Sequence, residues 1–166
     1  ITGATGFVGS ALSAKLTEYG VRVVPTVRRT TGLPNEIVIG DLNASASMHC
    51  QTALSACDVL VHLAARVHVM DDEVANPLQE FRKVNVDGTV RLASEAAAAG
   101  VHRFVFISSI KVNGENTLTG HPFTADQTPT PSDPYGITKW EAEQRLRTLA
   151  TETGMEVVII RPVLVY

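Results

Sequence analysis

The sequence is poor in charge clusters, aromatic residues and cysteines, and each shortage excludes a class of function. Its net charge of −3 comes from 14 basic and 17 acidic residues, and aromatic residues make up 5% of the chain. Without a basic run we expect no nucleic-acid partner. Cys50 and Cys57 lie on either side of an apolar segment, with no histidines clustered near them. They predict buried thiols rather than a zinc site or a disulfide framework.

Long apolar runs are also missing. Residues 157–160 form a typical run, whereas a membrane-spanning helix needs about 20 apolar residues. The N-terminus lacks the charged and apolar zones of a signal peptide, so we expect a cytoplasmic protein with no membrane partner. The chain has 166 residues, is 45% hydrophobic and shows no shift in composition, which predicts one domain.

Both ends of the chain interrupt a pattern. Ile1 and Thr2 enter a glycine turn without the strand of about five residues that normally precedes such a turn. The other end, at Tyr166, lies in apolar sequence. We expect this chain to be a fragment of a longer protein.

Short β-branched runs alternate with helical patterns along the chain. Strands are predicted at residues 21–27, 36–39, 59–63, 103–107 and 156–160. Helices are predicted at residues 7–19, 46–56, 77–99 and 134–153, with Asn76-Pro77 as a helix start and Gly20, Gly100 and Gly154 as helix ends. Because several strands are continuously apolar, the alternation predicts an α/β fold with a doubly wound parallel sheet. Residues 114–132 are polar and predict a lid or binding loop.

A glycine-rich turn opens the chain. Gly3 permits a tight turn, Gly6 lets a pyrophosphate approach the backbone, and Gly9 lets the following helix pack closely. The N–H groups at that helix start would bind the anion, so the turn predicts a dinucleotide site.

A tyrosine and a lysine lie four residues apart in the predicted helix 134–153. Tyr135 and Lys139 would therefore share one helix face. A neighbouring cation stabilises a phenolate and draws the tyrosine pKa toward neutrality, where the phenol can act as acid or base.

The chain resembles the extended short-chain dehydrogenase/reductase family, of the NAD-dependent epimerase/dehydratase type. The likeness begins with Gly3-x-x-Gly6-x-x-Gly9 and its leading Thr2. It continues in family order through Gly40-Asp41-Leu42, Val61-His-Leu-Ala-Ala65, Asn85-Val-Asp-Gly-Thr89, Phe104-Val-Phe-Ile-Ser-Ser109, Tyr135-x-x-x-Lys139 and Arg161-Pro162. It covers essentially the whole sequence and implies a Rossmann fold. It also implies that a C-terminal part grips the sugar and nucleotide, so we expect residues 1–166 alone to be inactive.

The resemblance also implies roles for single residues. Tyr135 would be the acid or base at a sugar hydroxyl or ketone, and Lys139 would hold the nicotinamide ribose and lower the tyrosine pKa. Ser109 would hydrogen-bond the same substrate oxygen, and Ser108 is less well aligned for that role. The implied cofactor contacts are Gly3, Thr5, Gly6, Phe7, Val8, Gly9, Asp41, Leu42, Leu63, Ala64, Ala65, Asn85, Ser108, Tyr135, Lys139 and Pro162.

The end of the predicted strand 21–27, the next strand after the glycine turn, bears on the choice between NAD and NADP. An acidic residue there usually accepts hydrogen bonds from the ribose 2′-hydroxyl of NAD. Here the strand ends Val27-Arg28-Arg29, and Arg28 could pair with a 2′-phosphate. We expect NAD or NADP, with NADP(H) favoured.

Other polar residues are predicted to have no part in the chemistry. His62 lies in an apolar strand, so we expect it to be a hydrogen-bonded histidine of the core. Asp71-Asp72-Glu73 lack a spaced fourth ligand, so we expect a solvated loop and no metal site. His68, His102 and His121 have no partner that singles them out.

The residues after the serine help to distinguish reactions within the family. A 4,6-dehydratase would carry Asp-Glu where this chain has Ile110-Lys111, so dehydration is disfavoured. The motif pattern favours a nucleotide-sugar 4-epimerase, although the epimerases commonly have Tyr where Asn113 stands. An NADPH-dependent 4-ketoreductase is the close alternative, and a non-catalytic cofactor-sensing protein is a third. Helices 77–99 and 134–153 resemble those of the family's dimer contact, so a homodimer is expected.

Overall fold

The computed structural model describes residues 1–42, 48–67, 76–163 and 165. The strands are β1 (Thr26–Val27), β2 (Ile37–Val38), β3 (Val59–His62), β4 (Arg103–Ile107) and β5 (Glu156–Ile160). The helices are α1 (Phe7–Glu18), α2 (Met48–Leu54), α3 (Pro77–Arg82), α4 (Thr89–Ala98) and α5 (Pro134–Thr153), with a π-helix at Lys83–Gly88 and a 3₁₀ helix at Ile110–Val112.

All the strand pairs are parallel, and Thr2 joins two groups of strands into one sheet. Strand β1 pairs with β2, and β4 lies between β3 and β5. Thr2 forms parallel bridges to Thr26 in β1 and to His62 in β3. The sheet order is therefore β2-β1-Thr2-β3-β4-β5, which confirms the α/β prediction. The glycine turn after Thr2 and the serines after β4 consequently lie at the same carboxyl edge.

The core lies between this sheet and helices α4 and α5. Phe104 and Phe106 lie two residues apart in β4, so their side chains point to the same face of the sheet. Both side chains are fully buried there. Leu92 from α4 and Leu146 from α5 join the same apolar cluster. In the described part of the chain, no helix has both the length and the apolarity to cross a bilayer.

Several element boundaries differ from the predictions: α1, β2 and β3 are each shorter by one or two residues, and three other elements differ as follows. Strand β1 covers only two residues, because it is paired with the short segment Ile1–Thr2 on one side and the two-residue β2 on the other. Helix α2 begins at Met48, and residues 46 and 47 lie outside the described residues. The predicted helix 77–99 is interrupted by the π-helix, whose wider turn carries Asn85 into the interior.

The predicted helix start at Asn76-Pro77 and the predicted helix end at Gly154 are confirmed. The Asn76 side chain accepts a hydrogen bond from the Gln79 N–H at 3.2 Å, ahead of Pro77. Gly154, with φ of 75°, ends α5 in the left-handed conformation.

Candidate active site

The glycine turn is too tightly packed for side chains. Gly3 has φ of 69°, and a Cβ there would lie 2.8 Å from the Ala64 amide nitrogen, just beyond β3. A Cβ on Gly9 would lie 2.1 Å from the Gly3 carbonyl oxygen. Helix α1 therefore packs directly on the turn that precedes it.

The start of α1 presents the donors that an anion needs. Gly6 is its N-cap residue, no side chain caps the helix, and its first turn contains no acidic residue. Thr5, Phe7 and Val8 are exposed around it. A 12-residue helix with uncapped N–H groups at an open edge suits a pyrophosphate, so the turn fits a dinucleotide cofactor.

Arg28 and Asp41 lie together beyond the ends of β1 and β2. Their charged groups are 4.0 Å apart, and the side chains are 81% and 72% exposed. Leu42 is instead buried in the core, where its Cβ lies 2.9 Å from the position of a Cβ on Gly88. The Leu42 side chain is therefore not exposed, so it cannot make the cofactor contact that the resemblance implied for it.

Asn85 ties the segment after β3 to helix α5, which carries Tyr135 and Lys139. Its Oδ1 accepts a hydrogen bond from the Arg66 N–H at 2.7 Å, and its Nδ2 donates to the Arg66 carbonyl at 3.0 Å. Nδ2 also lies 3.2 Å from the hydroxyl of Thr138, the neighbour of Lys139 on α5. Leu63, Ala64 and Ala65, half-buried, precede Arg66 at the carboxyl edge. Asn85 thus braces the segment implied in cofactor binding rather than standing at the helix surface.

Helix α5 carries the tyrosine and the lysine in its first two turns. Asp133 is its N-cap residue and accepts a hydrogen bond from the Gly136 N–H at 2.6 Å. Tyr135 is half-buried and Lys139 is 2% exposed. Lys139 Nζ lies 4.1 Å from the centroid of the Phe106 ring and 5.9 Å from that of the Tyr135 ring. The two side chains share one face of the helix, as their spacing predicted.

The pKa of Tyr135 is not lowered by its neighbour Lys139 as the sequence predicted. Burial raises the pKa of Tyr135, and the negative charge of Asp133 raises it further, while Lys111 opposes this. Burial also lowers the pKa of Lys139 to about 7, an effect that Glu143 opposes. The predicted lowering of the tyrosine pKa is therefore not seen in the folded chain, because loss of hydration outweighs the nearby cations.

The two serines after β4 have different surroundings. Ser108 is buried, and its hydroxyl donates to Glu143 Oε1 at 2.5 Å, so its side chain is not available for the implied cofactor contact. Ser109 is half-buried at the start of the 3₁₀ helix, where its Oγ accepts a hydrogen bond from the Lys111 N–H at 3.2 Å. Ser109 is therefore the more accessible of the two hydroxyls, and its alignment with a substrate oxygen stays a prediction.

A close backbone contact holds the serine segment against α5. A Cβ on Gly136 would lie 2.8 Å from the Lys111 carbonyl oxygen. The Lys111 ammonium also pairs with the Asp133 carboxylate, and this hydrogen bond raises the pKa of Lys111. Gly136 and this ion pair together fix the 3₁₀ helix after Ser109 on the first turn of the helix that carries Tyr135.

Three buried residues near the site were not assigned a role from the sequence. Arg161 donates to Glu143 from Nε and Nη2 at 2.9 and 2.6 Å, and from Nη1 to Asn113 at 3.1 Å. Glu143 lies four residues after Lys139, a spacing that could have indicated it. Pro162, next to Arg161, accepts a hydrogen bond from the Ile110 N–H at 3.0 Å.

The predicted core histidine is confirmed. His62 is fully buried, with Nδ1 2.6 Å from the Thr2 hydroxyl and Nε2 2.9 Å from the Thr89 hydroxyl. Burial lowers its pKa to about 3. His102 and His121 are exposed.

The remaining assignments are less complete. Cys57 is a free thiol but only half-buried, so it is less enclosed than predicted. The Cys50 side chain, His68 and residues 71–73 lie outside the described residues.

The fold and the site define a Rossmann domain with a dehydrogenase-type Tyr–Lys pair. Residues 1–166 match the sequence profile of the NAD dependent epimerase/dehydratase family, and the chain belongs to this family. The resemblance to extended short-chain dehydrogenases/reductases is thereby confirmed.

Particular relatives agree with this assignment. The chain is 50% identical over 171 residues to a UDP-glucose 4-epimerase of Vibrio cholerae, covering 100% of this chain and 51% of the relative. A short-chain dehydrogenase/reductase superfamily protein from Agrobacterium tumefaciens with bound NAD is 36% identical with a TM-score of 0.82, covering 96% of this chain and 47% of that one. MoeE5 in complex with UDP-glucuronic acid and NAD is 34% identical with a TM-score of 0.78, covering 95% and 51%. The chain thus spans about half the length of these relatives.

Proposed function

We propose that the intact protein carrying this chain is an NAD(P)-dependent nucleotide-sugar 4-epimerase. One observation carries the proposal: Ser109, Tyr135 and Lys139 stand at the carboxyl edge of a parallel sheet that also carries the glycine turn. The 50% identity to a UDP-glucose 4-epimerase across the whole of this chain supports it, as does the complex of MoeE5 with a UDP-sugar and NAD.

The glycine turn and the start of α1 would hold the pyrophosphate of the cofactor, and Lys139 would hold the nicotinamide ribose. Reversible hydride transfer at sugar carbon 4 is the chemistry that a nicotinamide nucleotide supplies when bound. Asp41 would contact the adenine, and Leu63, Ala64 and Ala65 would line the path of the ribose.

Tyr135 takes the proton of the sugar 4-hydroxyl and returns it to the same oxygen in the second half of the reaction. Ser109 donates a hydrogen bond to that oxygen. Because burial raises the pKa of Tyr135, the phenol needs a cation close to its oxygen to release its proton at neutral pH. Lys139, one helical turn further on, is the candidate for this cation: its Nζ lies 5.9 Å from the centroid of the Tyr135 ring, and with a pKa of about 7 a fraction of it is charged at neutral pH.

An NADPH-dependent 4-ketoreductase is the second candidate. NADPH is the usual hydride donor of a reductase, and Arg28 favours NADP. Its guanidinium is 81% exposed and pairs with Asp41 only at 4.0 Å, so it is free to turn toward a 2′-phosphate. Arg28→Ala in the intact protein should weaken NADP(H) binding about tenfold or more and leave NAD(H) nearly unchanged. Isothermal titration measures both, and tighter binding of NAD(H) than NADP(H) by the unsubstituted protein would sink the NADP preference.

Other reactions on this fold are less well supported. Ile110 and Lys111 follow Ser109, and Lys111 is engaged by Asp133, so neither replaces the acidic pair that dehydration requires. A cofactor-sensing protein would not need Tyr135, which this chain retains.

Turnover of UDP-hexoses by the intact protein separates the two enzyme candidates. Interconversion without added reductant supports the epimerase, whereas stoichiometric NADPH consumption with a keto sugar supports the reductase. Tyr135→Phe should lower kcat by about 10²-fold or more while leaving cofactor binding intact. Undiminished turnover by this variant would remove the catalytic assignment.

We also propose that a C-terminal part grips the sugar and nucleotide and that the protein is a cytoplasmic homodimer. The outer faces of α3 and α5 border a groove of about 490 Å³ lined by Arg82, Trp140 and Glu141, among others. Light scattering of the intact protein tests the dimer, and a monomeric mass at micromolar concentration would contradict it.

A further inference from the structure

A buried charged cluster lies under the Tyr–Lys pair and has no part in the proton transfer described above. Glu143 is 0% exposed, on the same face of α5 as Lys139 and one turn further on. Its partner Arg161 follows β5, and the Arg161 side chain is 13% exposed. Burying an ion pair beside a third charged group costs solvation free energy, and a packed apolar cluster would avoid this cost.

Every contact of the Glu143 carboxylate holds it in place as an anion. Arg161 Nη2 donates to Oε2 at 2.6 Å and Arg161 Nε donates to Oε1 at 2.9 Å, which is a two-point contact. Ser108 donates to Oε1 at 2.5 Å. Three donors from two segments, one after β4 and one after β5, therefore fix one carboxylate beside Lys139.

The cluster extends to the loop that follows Ser109. Arg161 Nη1 donates to Asn113 Oδ1 at 3.1 Å, and Asn113 is 1% exposed. Asn113 Nδ2 in turn donates to the Thr124 carbonyl at 2.9 Å, and the Thr130 hydroxyl donates to the Asn113 carbonyl at 2.8 Å. The predicted lid or binding loop is thus anchored to the same buried arginine as Glu143.

Few other charges act on Lys139. From β3, His62 is neutral above about pH 4, because its pKa is about 3. From the segment after β5, Arg161 is a permanent cation, and from α5 itself come Tyr135 and Glu143. Within the described residues, Glu143 is the carboxylate whose charge opposes the loss of the Lys139 proton. Without it, no carboxylate within the described residues would oppose the lowering of the Lys139 pKa by burial.

We propose that Glu143 is a positioning residue: its carboxylate, held by Arg161 and Ser108, keeps the Lys139 ammonium in place beneath Tyr135 and links it to the loop beyond Ser109. The inference deepens the proposed function and rests on it for its kinetic consequences. The ionic coupling itself does not depend on which reaction is catalysed.

The test is Glu143→Gln in the intact protein, with two independent measurements. Lysine labelled with ¹³C at Cε reports the protonation of Lys139 by NMR without any turnover, and Lys139→Met assigns the signal. We expect the Lys139 midpoint of the Gln variant to lie at lower pH than that of the unsubstituted protein. We also expect kcat/KM at about pH 8 to fall about tenfold or more, with a smaller loss at about pH 6, since proton-transfer groups contribute about 10²–10⁴-fold.

Matched variants separate positioning from stability. Glu156→Gln removes the carboxylate of another Glu–Arg pair, with Arg103 at 2.7 Å, at the opposite end of β4 and β5, and should change neither measurement. Glu143→Asp retracts the same charge by one methylene group and should give an intermediate Lys139 midpoint. The Asp variant also provides the test if the Gln variant does not fold.

An unchanged Lys139 midpoint in both Glu143 variants would overturn the inference, as would a loss of kcat/KM that is equal at all pH values. If the unsubstituted protein turns over no nucleotide sugar, the proposed function fails, while the NMR titration still decides whether Glu143 acts on Lys139.

Discussion

Gly136→Ala is the sharpest perturbation of the candidate site, because it adds a single methyl group between helix α5 and the segment that follows Ser109. The new Cβ would lie 2.8 Å from the Lys111 carbonyl oxygen and 3.3 Å from the Pro131 Cβ. Real Cβ atoms do not approach backbone that closely, and a carbonyl cannot rotate out of the way as a flexible side chain can. Helix α5 and the segment after Ser109 must therefore move apart.

The size of the effect follows from this distance. Relaxing the contact from 2.8 Å to an ordinary 3.4 Å needs a displacement of about 0.6 Å. Overpacking costs about 1–3 kcal/mol, and replacing glycine in a helix regains up to about 1 kcal/mol, so the net loss of stability lies between about 0 and 3 kcal/mol. A displacement of about 1 Å between reacting groups lowers the rate about 100-fold, so we expect kcat to fall about 10- to 100-fold.

The assay is UDP-hexose interconversion by the intact protein, with Tm measured in parallel. Gly154→Ala is the matched control: its φ of 75° makes alanine strained by about 1–2 kcal/mol, but a Cβ there would meet nothing within 4 Å, at the other end of α5. It should lower Tm by a similar amount and leave kcat unchanged. A Gly136→Ala protein with unchanged kcat would refute the idea that this contact positions Ser109 relative to Tyr135.

Two further predictions concern buried polar groups. The folded pKa of His62, about 3, lies below its unfolded value of 6.5, so the unfolded chain binds the extra proton as pH falls. Stability should drop by several kcal/mol between these two pH values in urea unfolding, and His62→Asn should remove that part of the dependence; an unchanged slope would contradict it. Asn85→Ala removes three hydrogen bonds and should cost about 2–4 kcal/mol. Asn76→Ala, which removes one exposed helix cap, should cost only about 1 kcal/mol in the same measurement, and equal losses would argue against the Asn85 brace.

The features that were predictable from the sequence depend on residues close together in the chain. The ranges of β4, β5 and α5 agree with the predictions, since apolar runs and capping residues mark their ends locally. The glycine turn and the shared face of Tyr135 and Lys139 follow from spacings of three and four residues. The motif order was sufficient to indicate the family, which the sequence profile and the relatives confirm.

Tertiary structure alone decided how the site is held and how its groups ionise. The π-helix forms where Asn85 reaches Arg66 and Thr138, 19 and 53 residues away. Burial, which depends on the whole fold, raises the pKa of Tyr135 where the local spacing predicted a lower one. Likewise, only packing brings Arg161 to Glu143 and places Gly136 on the Lys111 carbonyl. Local spacing determined which groups carry the chemistry, and contacts between distant segments determined their environment, because solvation and close approach depend on the folded chain.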